Sequence, residues 1–128
     1  MKAGFTLVEI IIVVIIIGIL TTLAMPQYAK IQEKALDNEA KANLVLIQAA
    51  ENLYKIESSA FYAASGADLN SALSVSLPPA GGKWNYSTET KGVAPLDTVC
   101  FQATRNVESG RSWHIMNIEN APSTGACP

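Results

Sequence analysis

The chain of 128 residues carries nine Lys and Arg against eleven Asp and Glu, a formal net charge of −2, with 49% hydrophobic and 16% charged residues. That is room for one domain; the apolar content excludes a disordered chain, and near-neutrality excludes an electrostatic nucleic-acid binder. Two cysteines, Cys100 and Cys127, and a single histidine, His114, exclude zinc sites of four cysteines or of two cysteines and two histidines, and leave no obvious Ser-His-Asp or Cys-His nucleophile cluster.

The apolar residues are unevenly spent. Phe5 to Met25 reads FTLVEIIIVVIIIGILTTLAM, with Glu9 its only charge. As a helix these residues span roughly 31 Å at about 1.5 Å each, against a hydrocarbon core of about 30 Å. β-Branched Ile and Val are mediocre helix formers in water, but in lipid the backbone must satisfy itself and a helix results. Pro26 closes the run, and its missing N–H is expected to end or kink the helix there.

Three readings compete for this segment. A secretory signal peptide would have MKAG as its basic end and a cut after Ala24, but the run exceeds the usual apolar length of about 7–15 residues and contains Glu9. A plain membrane anchor fits the hydropathy, with Lys2 holding the N-terminus in the cytoplasm, yet leaves Glu9 unexplained. A carboxylate at the centre of a membrane helix costs about 2.5–3.5 kcal/mol and as a rule marks a function. In the third reading the chain is cut between Gly4 and Phe5. The new α-amine on Phe5 then lies four residues, about 6 Å, from Glu9, and the two neutralise each other within one chain or between neighbours. Snorkelling of Glu9 to the interface is the simpler account.

Gly4-Phe5-Thr6-Leu7-Val8-Glu9-Ile10, ahead of an uninterrupted apolar run, strongly resembles the N-terminus of type IV pilins and of the pseudopilins of type II secretion. Gly18, Pro26 and Tyr28 also fall where that family commonly has Gly, Pro and Tyr, and the close match covers about residues 1–30. The resemblance implies that a membrane prepilin peptidase cuts after Gly4 and methylates the Phe5 amine. The apolar helix then leaves the inner membrane, with the help of assembly machinery there, and becomes the core of a homo-oligomeric helical filament. Loss of Lys2 with the leader makes the processed balance 8 against 11, net −3. A helix apolar on every side has no wet face and must sit in lipid or among other such helices. A Glu9–Phe5 pair between subunits supplies registry more than stability. Gly18 and Pro26 are points where the helix can stretch or unwind, or else a small-residue packing position and a simple interface kink.

From Tyr28 to Ser58 good helix formers dominate. Leu36, Ala40, Leu44, Ile47, Ala50 and Tyr54 keep a spacing of three to four, and Ala42, Leu46, Ala49, Leu53 and Ile56 form a second row. Together the rows predict one broad apolar face laid on a sheet. The charged residues, Glu51 and Lys55 included as an i,i+4 pair, are expected on the remaining surface. Ser58-Ser59 suggests the end, so one long helix is expected from Phe5 to about Glu57.

Residues 58–83 read as loop, with a short helical turn near Ala67–Leu73. Trp84–Glu89 and Val99–Arg105 alternate as strands; Arg111–Ile118 is a less regular third, joined to the second through a turn at Asn106–Gly110. A meander of three or four antiparallel strands on the amphipathic helix follows. Such an outward-facing domain lies in a disulfide-permissive compartment. The resemblance implies a C-terminal disulfide loop, here Cys100 with Cys127, 27 positions apart and worth about 3–4 kcal/mol. Two free thiols, or a metal site completed by His114, are the alternatives. His114 is expected as an ordinary strand residue, and Asn85-Tyr86-Ser87 as a chance sequon. Asp97, Glu108 and Glu119 form no clustered carboxylate loop of the kind major pseudopilins use for calcium, which with the cysteine pair tilts the resemblance toward pilin.

The expected fold is α+β and pilin-like: leader 1–4, apolar helix 5–26, amphipathic half 27–57, connecting loop 58–83, and sheet with disulfide loop 84–128. The expected role is a structural subunit of a type IV pilus, not an enzyme, with no cofactor and no direct nucleic-acid site. A secretion pseudopilin or minor pilin, and a membrane-anchored periplasmic binding domain, are the alternatives.

Overall fold

The computed structural model describes residues 4–63, 67–79, 82–91, 98–106 and 110–128. It is α+β: a long helix α1 (Leu7–Ser58), a short helix α2 (Ala67–Ala72) and a four-stranded antiparallel sheet. The chain divides into two compact units, one ending at Ala35 and the other beginning at Leu36.

In the first unit α1 is long and apolar enough to cross a membrane, and the apolar window is exposed throughout. The helix runs through Pro26: the proline does not end it, and the single long helix expected from the sequence is the one observed. The proline removes only the bond its own N–H would give to the Thr22 carbonyl, and the ladder resumes on the next turn. Two hydroxyls in this apolar stretch are hidden by the backbone: Thr21 Oγ1 donates to the Ile17 and Gly18 carbonyls, both at 2.9 Å, and Thr22 Oγ1 to that of Ile19 at 2.7 Å.

In the second unit the first of the two apolar rows enters the core. Leu36, Ala40, Leu44 and Ile47 are buried, with Ala50 and Tyr54 packed at the margin. The second row does not follow. Leu46, Leu53 and Ile56 stay 44%, 59% and 80% exposed, so the expected broad face is split. A sheet of side chains alternating in and out covers one stripe of a helix, and the second row lies beyond that stripe. The helix stops where Ser59 adopts a left-handed φ of 63°, the conformation that caps helix C-termini, with Ser59 N–H donating to the Lys55 carbonyl at 2.8 Å.

The strands lie in chain order: β1 (Trp84–Lys91), β2 (Thr98–Arg105), β3 (Ser112–Met116) and β4 (Ser123–Thr124). Their register pairs Trp84 with Arg105, Phe101 with Ile115 and Trp113 with Thr124. Trp84, Tyr86 and Thr88 of β1 and Val99, Phe101 and Ala103 of β2 face the core, as their alternation predicts. Ile115 of β3 and Leu69, Leu73 and Leu77 of the connecting segment complete it. The third strand is shorter than expected because Asn117 and Ile118 turn toward β4. The β2–β3 turn closes through Arg105 N–H to the Arg111 carbonyl at 2.9 Å, with Gly110 at φ 56°; residues 107–109 of that turn lie outside the described residues.

Candidate functional site

Gly4, Phe5 and Thr6 precede the helix and are exposed. The sequence suggested a helix from Phe5; it begins two residues later because Thr6 caps it. The Glu9 N–H donates to Thr6 Oγ1 at 3.2 Å, and the Ile10 N–H to the Thr6 carbonyl at 3.3 Å. Thr6 is therefore the N-cap and Glu9 the third helical residue, the positions of a capping box. The spacing Thr-x-x-Glu was legible beforehand and gives Glu9 a second, local reason to exist. The Phe5 nitrogen is an amide in this chain, so the expected ion pair with Glu9 would need a chain cut after Gly4. Met1, Lys2 and Ala3 lie outside the described residues. At Gly18 a Cβ would meet nothing within 4 Å, so nothing in the single chain requires glycine there.

The structure bridges Cys100 to Cys127, with Cα atoms 5.9 Å apart. This removes both from any metal site, and among the described residues no three His, Cys, Asp or Glu side chains gather to hold an ion. Of the three acids weighed for calcium, Asp97 and Glu108 lie outside the described residues. Glu119 accepts the Met116 N–H at 2.9 Å instead. His114 sits in β3 with Nδ1 3.1 Å from the Gly125 carbonyl oxygen. Asn85 of the sequon donates to Asn106 Oδ1 at 2.8 Å.

Two polar features escaped the sequence reading. Glu51 and Lys55 are spent separately rather than on each other. Lys55 Nζ lies 4.0 Å over the Phe61 ring, while Glu51 is fully buried and its Oε2 accepts the Tyr62 N–H at 3.0 Å. Burial pushes the Glu51 carboxyl above its ordinary 4.5, the Tyr62 N–H opposing. Tyr86 is likewise raised by burial, against the Asn43 amide that donates to its hydroxyl at 2.7 Å. The other feature is a groove of about 470 Å³ beside Asp37, Arg111 and Trp113. There Arg111 Nη1 contacts both Asp37 oxygens at 3.1 Å and Lys41 Nζ lies 4.0 Å over the Trp113 ring.

Residues 1–25 match the family model of the prokaryotic N-terminal methylation motif. The chain is 40% identical over 60 residues to the type II secretion system core protein G of Pseudomonas aeruginosa, covering 47% of this chain and 42% of that protein. It is 34% identical over 85 residues to core protein G of Escherichia coli, covering 66% of this chain and 58% of that one. It is 45% identical over 51 residues to the type IV major pilin protein PilA of Myxococcus xanthus, 40% of this chain and 23% of that protein. The chain thus spans about half the length of the core protein G relatives it matches. No solved structure gives a significant match. The resemblance to type IV pilins and pseudopilins, read over about residues 1–30, is matched by the family model over residues 1–25, and the α+β fold is consistent with it.

Proposed function

We propose that this chain is a structural subunit of a type IV pilus. It is cut after Gly4, methylated on the Phe5 amine, and polymerises through α1. The observation that carries this reading is the methylation motif set on a helix exposed along its whole apolar length. Such a surface is stable only in lipid or against copies of itself. The precursor then sits in the inner membrane, N-terminus in the cytoplasm, as substrate of a prepilin peptidase and cargo of the assembly machinery. The disulfide suits an oxidising destination. A second reading, a pseudopilin of type II secretion, is favoured by the names of the core protein G relatives.

The test is the unreduced intact mass and N-terminal sequence of the protein sheared from producing cells. A chain starting at methylated Phe5, two hydrogens light and recovered in filaments, is expected. A chain starting at Met1 and retained in the membrane overturns the reading in favour of an anchored domain. A processed chain that shearing does not release replaces the pilus with a periplasmic pseudopilus.

A further inference from the structure

We infer that Thr6 is a positioning residue for leader removal: its cap on the Glu9 N–H halts α1 at Leu7 and keeps the Gly4–Phe5 peptide bond out of the helix, where a peptidase can take it. This rests on the reading that the chain is cut after Gly4. Three observations carry it. The helix begins only at Leu7, although the apolar run begins at Phe5. Glu9 N–H and Ile10 N–H are both held by Thr6, through its hydroxyl and its carbonyl. Gly4 and Phe5 lie upstream in non-helical backbone.

The chemistry of the junction explains why a stop is needed. In a low-dielectric medium an apolar segment gains by extending its helix upstream, because each added turn satisfies backbone groups that lipid cannot. One more turn would bring the Gly4 carbonyl into a bond with the Val8 N–H and fold the scissile peptide into the ladder. Peptidases cut exposed, non-helical backbone. The N-cap residue has non-helical dihedrals while its side chain accepts from the second or third helical N–H. A hydroxyl at position 6 therefore ends the helix two residues downstream of the scissile bond. Glu9, as the third helical residue, favours the same boundary through its charge at the helix N-terminus.

The experiment is cleavage of the full-length chain in detergent micelles by membranes containing a prepilin peptidase, comparing wild type with Thr6→Val, Thr6→Ser and Thr6→Asn. Val keeps the branched shape and loses the hydroxyl. Ser and Asn both cap but differ in shape from Thr. Expected is a drop of about fivefold in kcat/KM for Thr6→Val, the ratio given by an N-cap of about 1 kcal/mol at 1.4 kcal/mol per tenfold. Thr6→Ser and Thr6→Asn are expected within about twofold of wild type. Circular dichroism of the uncleaved Thr6→Val chain should show helix content at or above wild type, which mere misfolding would lower. If Thr6→Val is cut as fast as wild type, the inference is overturned. If Ser and Asn are as slow as Val, Thr6 is read by the peptidase as a side chain and the cap is irrelevant. Failure of wild type itself to be cut after Gly4 overturns the proposed function instead, a distinct outcome.

Discussion

Replacing Cys127 by alanine is expected to cost about 3.5 kcal/mol. The bridge spans a sequence separation of 27. The chain-entropy relation then gives roughly 12 cal/mol/K, or about 3.5 kcal/mol at 25 °C. Little else fastens the last segment to the sheet. β4 contributes two residues, paired with Trp113 and His114. Beyond it stand the Gly125 N–H to the Ser112 carbonyl at 2.9 Å, the Gly125 carbonyl oxygen 3.1 Å from His114 Nδ1, and a long contact of 3.4 Å from Cys127 N–H to Gln102 Oε1. The substitution isolates the cross-link because Cys100, fully buried in β2, survives as a small apolar thiol that leaves no cavity. The assay is urea unfolding of the full chain in detergent, followed by the fluorescence of Trp84 and Trp113. The midpoint should fall and the slope should steepen, since an uncrosslinked unfolded chain exposes more surface. Reduced wild type should coincide with the variant. A loss below about 1 kcal/mol with an unchanged slope would refute the reasoning, because it would mean the bridge does not constrain the unfolded ensemble.

Glu51→Gln is expected to flatten the pH dependence of stability. Burial raises the folded-state pKa of Glu51 above 4.5, so the folded chain takes up this proton at a higher pH than the unfolded chain does. The group's contribution to stability therefore grows as pH falls through the folded-state pKa and levels off below about 4.5. Gln keeps an oxygen for the Tyr62 N–H and removes the charge. Urea midpoints between pH 7 and 4.5 check this: wild type should gain on the variant as pH falls, and a wild type that instead loses ground to the variant on acidification contradicts it. The two helix rows give a paired test. Leu44→Ala, fully buried, should lose about 2–5 kcal/mol, whereas Leu53→Ala, 59% exposed, should stay within about 0.5 kcal/mol; equal losses would mean both rows are core in the isolated chain.

What the sequence made legible was whatever obeys a period. Leu36, Ala40, Leu44 and Ile47 repeat as a helix stripe and are buried; Trp84, Tyr86 and Thr88 alternate and face the core. Periodicity does not say how wide a face its partner will cover, and so Leu46, Leu53 and Ile56 were assigned to a contact that the sheet does not make. β4 was illegible for another reason. Two residues carry no pattern, and Ser123–Thr124 becomes a strand only through its register with Trp113 and His114. Glu51 was misplaced because an acid four residues before a lysine reads as a surface pair. Only the fold brings the Tyr62 N–H to it. Thr6 was different again. Its spacing to Glu9 stands in the sequence, but that spacing becomes a cap only where the helix starts at Leu7.

The magnitudes at Glu9 separate its two roles. As the third residue of α1 it gains about 0.3–1 kcal/mol from the helix N-terminus, while full immersion in an apolar surround costs about 2.5–3.5 kcal/mol. In the proposed membrane precursor, Glu9 would stand three residues past the Thr6 cap, about 4.5 Å along the axis, within reach of the headgroup layer. There the cap and snorkelling together suffice. Inside the proposed filament core the headgroups would be gone and the cap unchanged, which leaves a deficit of about 1.5–3 kcal/mol per subunit. A cationic amine on a processed Phe5 is the nearest group that can offset it, and it exists only after cleavage. On this reasoning Glu9→Gln should insert in the membrane and lose its leader as wild type does, yet fail to appear in sheared filaments. Filaments of normal yield from that variant would show that the cap alone accounts for Glu9 and that the carboxylate sets no register between subunits.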